Sequence, residues 1–301
     1  MIEIDIISGF LGAGKTTFAN ILLRHYLDAG LRPVYIVNEI GQSGVDAEVL
    51  REDGFDAVEV EGGCICCTLK DDIASAMIEV INTFSPTNIV FEPSGIFIFD
   101  NFFDILKQPA INERCELKNI FTIVDSVSFS FAKAAYGSFI YNQIKNAAII
   151  VISKLERKSS NKDELLCDIK NINADAFIMS KIWTDWDKAD LEMLLAQSKR
   201  RPLGSHGHHH SDFSVFTLKP EKPFSRQKAE RFIHHCKSGD FGNLCRVKGI
   251  VKIEGQAMLI NIAMQDAVLK RFGGIAKPTL TFIGQAINEQ KIEAFLKQEL
   301  C

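Results

Sequence analysis

The stretch GFLGAGKT, Gly9 to Thr16, matches the pattern G-x-x-x-x-G-K-[ST] at every fixed position. It follows a short apolar run, IEIDII at residues 2 to 7, and opens a helical pattern from Lys15 to Ala29 that Gly30 stops. Strand, glycine-rich turn and helix in that order are the context this pattern requires. Glycines such as Gly9, Gly12 and Gly14 let successive backbone N–H groups turn toward phosphate oxygens, and the helix N-terminus adds a favourable dipole. Lys15 is placed to reach β- and γ-phosphates, and the Thr16 hydroxyl can ligate Mg2+. The alternative, a turn with an incidental lysine, leaves the flanking strand and helix unexplained.

Such a unit needs a sheet to stand in. Further apolar strands are expected at Val34 to Asn38, Ala57 to Val60, Asn88 to Glu92, Ile120 to Val124, Ala147 to Ile152 and Ala176 to Met179. Helical stretches separate them, among them Asp71 to Phe84, closed by Pro86. Strands alternating with helices argue for an α/β fold with a mostly parallel sheet covered on both faces. Near residue 200 the composition shifts: KRRPLGSHGHHHSD is polar, with Pro and Gly, and reads as a linker. Beyond it, Phe213 to Leu218, Arg246 to Ile253, Gln256 to Ala263 and Leu280 to Gly284 read as strands, the middle two paired around Glu254-Gly255. Ser225 to Cys236 and Asn288 to Leu300 read as helices. The expected organisation is a P-loop domain over residues 1–200, a His-rich linker over 201–212 and a smaller α+β domain over 213–301.

Composition narrows the function classes. A net charge of −4 over 301 residues leaves no global basic footprint, so nucleic acid is not an expected partner. No apolar run approaches the ~20 residues that span a bilayer, and the start MIEIDIIS lacks the pattern of a signal peptide. Eight cysteines in a chain of this length are too sparse for a disulfide scaffold, and three are too close together to staple separate elements. Reduced thiols and a cytoplasmic location are the expectation.

Two carboxylates at strand ends are candidates to complete a Mg2+ site: Glu92 in IVFEPSG and Asp125 in FTIVDS. Asp125 reads equally well as a cap for the helix that Ser126 opens. Gly95 could offer its N–H to a γ-phosphate. Ser153-Lys154-Leu155-Glu156 follows a strand, where P-loop GTPases keep N-K-x-D to read guanine through a bidentate carboxylate. Ser replaces Asn and Glu replaces Asp with one extra methylene, so the bidentate logic is kept at a changed reach. An ordinary charged loop is the competing reading.

EGGCICC, residues 61 to 67, clusters three thiols. Side chains alternate along an extended segment, so Cys64 and Cys66 fall on one side, and Cys67 folds in if the chain turns there. Three thiolates at ~2.3 Å suit Zn2+ and leave a fourth tetrahedral position open, the mark of exchange or catalysis, since structural zinc sites are closed by four ligands. A redox or buried thiol cluster is the competing reading. His206, His208, His209 and His210 in the linker could collect the same class of metal, or could form a solvated linker without a site.

Together GFLGAGKTT, VNEIG, EGGCICC, EPSG, IVDSV and the position of SKLE resemble the CobW-type family of metal-trafficking P-loop GTPases, and RVKGIVKI and PTLTFIG resemble that family's C-terminal module. The resemblance implies GTP-dependent handling of Zn2+ or Co2+ by the cysteines, with delivery to a client metalloprotein or to a cofactor-assembly pathway such as that of cobalamin. It implies that Gly12, Ala13, Gly14, Lys15, Thr16 and Thr17 hold the phosphates and Mg2+. Asn38 to Gly41 would be the first switch, Glu92 to Gly95 the second, and Cys64, Cys66 and Cys67 would hold the transferred metal. Asp46 would help place Mg2+ or water, unless it is an exposed loop carboxylate. Departures from the family are Val37 and Gln42 beside the Asn38-Glu39 pair, Glu156 in place of Asp, and Pro93. No arginine finger or catalytic glutamine is evident, so slow intrinsic turnover is expected. A small-molecule kinase, an iron–sulfur scaffold and a metal-storage module are the alternatives; a homo-oligomer is compatible with the sequence.

Overall fold

The computed structural model describes residues 1–40, 55–62, 68–97, 99–157, 162–197, 214–220, 222–263, 266–273 and 277–297. The chain divides into two compact units, and His210–Cys301 belongs to the second. The first unit runs β1 (Ile2–Gly9), α1 (Lys15–Asp28), β2 (Pro33–Ile40), β3 (Ala57–Gly62), α2 (Thr68–Phe84), β4 (Asn88–Glu92), α3 (Phe99–Leu106), α4 (Pro109–Asn112), β5 (Cys115–Asp125), α5 (Phe129–Asn146), β6 (Ile149–Ser153), α6 (Lys162–Ile172), β7 (Phe177–Met179), a 3-10 turn (Trp183–Asp185) and α7 (Lys188–Ala196).

Its seven strands lie in the order β3-β2-β4-β1-β5-β6-β7. β1 pairs in parallel with β4 and β5, β2 with β4, β5 with β6, and β6 with β7. The central strands are apolar along nearly their whole length because both sheet faces are covered. On one face Ile4, Ile6, Ile36 and Phe91 pack with Met77 of α2 and Phe102 of α3. On the other, Ile7, Tyr35, Phe121 and Val151 pack with Phe18 and Leu22 of α1 and Leu194 of α7. β1 and β4 are neighbours, so the loops leaving Gly9 and Glu92 emerge side by side at the carboxyl edge. That edge is where open α/β sheets bind ligands.

The second unit contains β8 (Ser214–Leu218), α8 (Arg226–Ser238), β9 (Asn243–Ile253), β10 (Gln256–Ala263), β11 (Asp266–Arg271), β12 (Thr279–Gln285) and α9 (Glu289–Lys297). The strands form an antiparallel sheet in the order β11-β10-β9-β12-β8. Phe232 of α8 and Ile292 and Phe295 of α9 pack with Val247, Val251, Ile260 and Phe282 of the sheet. The hairpin between β9 and β10 turns at Glu254 and Gly255, with φ values of 50° and 81°, the left-handed pair of a tight two-residue turn. β11 has no counterpart among the sequence-predicted strands. It is an edge strand with mostly exposed side chains, so burial imposes little alternation on it. Among the described residues, no helix is long and apolar enough to cross a membrane.

Among the polar groups buried in the first unit is a carboxylate of its central strand. Asp5 of β1 is fully buried; Tyr26 Oη donates to its Oδ2 at 2.6 Å and Asn119 Nδ2 to its Oδ1 at 2.7 Å. Burial pushes its carboxyl up to about 6, against the opposing pull of those two donors and of Lys118, while Glu3 adds a smaller upward push. The folded state therefore holds this proton more tightly than the unfolded chain does. Stability is expected to fall as pH rises through about 4 to 6, by at most about 3 kcal/mol from this group. Asp5→Asn should flatten that part of a melting-temperature profile against pH. An unchanged profile would show that folding leaves the Asp5 pKa where it is in the unfolded chain.

Candidate nucleotide-binding site

The loop between β1 and α1 is shaped by its glycines. Gly14 caps α1 with φ at 103°, a conformation costly for any residue with a Cβ. Lys15 opens the helix and is 5% exposed; its Nζ donates to the carbonyl of Phe10 in the same loop at 3.4 Å. The ammonium is thus folded back over the loop that carries the N–H groups. Thr16 is half-buried and Thr17 exposed at the mouth of the helix.

Thr16 and Glu92 meet across the sheet edge. The Thr16 hydroxyl donates to Glu92 Oε1 at 3.2 Å, and the Tyr35 hydroxyl donates to Oε2 at 2.6 Å. Glu92 is 3% exposed, so its charge is held away from bulk water by hydroxyl donors. A hydroxyl and a carboxylate at one point are hard oxygen donors of the kind Mg2+ prefers when it keeps several waters and phosphate oxygens around it. Tyr35 carried no signal in the sequence: it reads there as one more apolar strand position, and only the pairing of β2 with β4 brings it to Glu92.

The segment after Glu92 leans on the phosphate loop. A Cβ on Gly95 would lie 2.6 Å from the Leu11 amide nitrogen, so only glycine permits this approach. Gln143 of α5 donates its Nε2 to the Gly95 carbonyl at 3.0 Å. Near the end of β2, Asn38 is 1% exposed and donates its Nδ2 to the Val60 carbonyl of β3 at 3.2 Å. Its Oδ1 has no hydrogen-bond partner among the described residues.

On the other side of β1, Ser153 ends β6 buried and donates its hydroxyl to the Ala13 carbonyl of the phosphate loop at 2.7 Å. Lys154 follows in the left-handed region, φ 57°, and its ammonium reaches Asp125 Oδ2 at 2.7 Å. Glu156 is exposed two residues on. Asp125 also accepts from the Val127 N–H at 2.9 Å and from the Ser128 hydroxyl at 2.7 Å. Its oxygens therefore meet the turn into α5, whose N-cap is Ser128, and the Lys154 ammonium. Asp46, Cys64, Cys66, Cys67, His206, His208, His209 and His210 lie outside the described residues, as does Gly41.

A buried strand, a glycine-shaped loop and a helix opened by lysine and threonine, at the carboxyl edge of a parallel sheet, define a P-loop nucleotide-binding fold. The family model described as CobW/HypB/UreG, nucleotide-binding domain, matches residues 3–180, and that described as cobalamin synthesis protein cobW C-terminal domain matches residues 213–300. The chain belongs to the CobW/HypB/UreG family. It is 34% identical over 141 residues to the zinc chaperone CobW of Sinorhizobium sp, covering 44% of this chain and 39% of that protein. It is 29% identical over 166 residues to the zinc chaperone YeiR of Escherichia coli, covering 55% and 50%. These matches thus span half or less of the relatives' length. A longer match, 24% identical over 318 residues and covering 97% of each chain, is to the zinc chaperone YjiA of Escherichia coli. The solved Zn(II)-bound YjiA GTPase aligns over 98% of this chain and 97% of that one, at 21% identity and a TM-score of 0.46.

Proposed function

We propose that this protein is a GTP-hydrolysing metallochaperone that carries Zn2+ at Cys64, Cys66 and Cys67 and hands it to a client under nucleotide control. Family membership and the zinc-chaperone relatives support the class. The observation that carries the nucleotide control is the Asn38–Val60 hydrogen bond. It ties the end of β2, the first switch of the family resemblance, to the strand that leads four residues later into the cysteines. A change at the nucleotide thus has a short covalent and hydrogen-bonded path to the metal ligands.

The residues take distinct roles. The backbone of Gly12 to Thr17 cradles the phosphates, with Lys15 against the β- and γ-oxygens. Thr16 and Glu92 would hold Mg2+, which when bound neutralises charge on the phosphate oxygens. Glu92, steadied by Tyr35, orients and polarises the site from its dry interior. Gly95 lies against the loop and offers its N–H to the γ-phosphate, so the segment after Glu92 responds to whether that phosphate is present. Ser153 replaces the usual asparagine by tying β6 to the phosphate loop, and Glu156 reads the base. The cargo ion could equally be Co2+, since thiolate ligands alone do not separate it from Zn2+.

The test is a Zn2+ titration of the metal-free protein against a competing chelator, first in Mg-GTP and then in Mg-GDP. The GTP form should bind at least about fivefold more tightly, within the usual range of coupling between sites, and Cys66→Ala should lose tenfold or more. Linkage requires Zn2+ to tighten GTP binding by the same factor. Equal affinities in the two nucleotide states would overturn the coupling, and Zn2+ binding indifferent to Cys66 would return the cysteines to a structural or redox role.

A further inference from the structure

The loop after β7 brings an indole onto the phosphate loop. Trp183 opens the 3-10 turn, and a Cβ built on Gly14 would lie 2.8 Å from its Cη2 and 3.4 Å from its Cζ2. The edge of the ring is therefore in van der Waals contact with the bare α-carbon of the residue that precedes Lys15. Trp183 is only partly buried.

The loop that carries it is braced. Trp186 Nε1 donates to the Lys181 carbonyl at 3.1 Å, and the Trp186 ring meets Phe18 of α1 edge to face at 6.1 Å. Asp187 and Asp190 form a reciprocal capping box at the start of α7, and Lys181 pairs with Asp190 at 2.5 Å. β7 runs parallel beside β6, so this loop leaves the sheet at the same carboxyl edge as the Lys154–Glu156 segment, to which the proposed function assigns the choice of base. A flat apolar ring fixed at that place, next to backbone donors for phosphate, is the arrangement that stacks on a nucleoside.

We propose that Trp183 is a nucleotide-binding residue: its indole forms a wall of the nucleoside subsite and packs against the sugar and base of the bound nucleotide. This rests on the reading of Gly9 to Thr16 as the phosphate site. Stacking is tolerant of base identity, because every base has a π-face. Trp183 thus supplies affinity, while Glu156 supplies the choice of base. A tryptophan used only for packing would affect stability and leave affinity alone.

The chain contains two tryptophans, and both are in this loop, which makes the test direct. GDP and ADP affinities are measured by competition with a fluorescent GDP analogue for the full-length protein and for Trp183→Ala, Trp183→Phe, Trp186→Phe and Glu156→Ala. Trp183→Ala should weaken GDP and ADP alike by about tenfold, an effect within the range of base–aromatic stacking. Trp183→Phe should recover most of the loss, and Glu156→Ala should lower the GDP-to-ADP preference instead. In Trp186→Phe, where Trp183 is the sole tryptophan, GDP should change the intrinsic emission. That measurement holds even if Trp183→Ala fails to fold. Unchanged GDP affinity in Trp183→Ala, or emission indifferent to saturating GDP, would overturn the assignment. Failure of the unaltered protein to bind any nucleotide would instead overturn the phosphate-site reading.

Discussion

Replacing Lys15 with alanine is expected to lower GTP turnover by about a thousandfold, the upper end of what one preorganised charge contributes at a developing anion. The side chain is 5% exposed and bonded back to the Phe10 carbonyl, so its charge works from inside the loop and is little screened by water. The phosphate transferred to water spreads negative charge over its outer oxygens, and this ammonium is the one the loop itself supplies. Single-turnover phosphate release measures the effect, and a melting curve separates it from unfolding. A Lys15→Ala protein that keeps its fold and hydrolyses GTP within tenfold of the parent would rule out the assigned role.

Glu92→Gln is expected to cost about a hundredfold in turnover while the fold survives. The amide keeps the carboxylate's shape and still accepts a hydrogen bond from Thr16 or Tyr35, and either hydroxyl can accept from its nitrogen. What disappears is the negative charge in a buried position beside Thr16. The concentration of Mg2+ needed for half-maximal turnover should therefore rise together with the loss of rate, whereas Tyr35→Phe should change both less. If Glu92→Gln lowered turnover with no shift in Mg2+ dependence, the carboxylate would be acting on water and not on the cation.

The two halves of this site differed in how openly the sequence carried them. The phosphate loop is local: a lysine at the start of a helix and glycines before it need no distant partner to be recognised. Strand β4 was legible to the residue, since a buried parallel strand is a run of apolar residues ended by Glu92. The termini of β2 and β5 were not: in β5, polar residues such as Glu116 and Asn119 pair in the sheet without belonging to an apolar run. Asp125 illustrates a different limit. A carboxylate at a strand end has the same sequence signature whether it meets a cation or caps a turn, and only the fold brings Lys154, just after β6, to this one.

Taken alone, the order of residues determined the α/β class, the phosphate loop and the thiol cluster, because each depends on neighbours within a few positions. Only the tertiary structure decided that Tyr35 and Thr16 share one carboxylate, that Ser153 ties its strand to the loop, and that Trp183 lies against Gly14. Those contacts join residues 57 to 169 positions apart, brought together by strand order and register, which depend on how the whole sheet buries its two apolar faces.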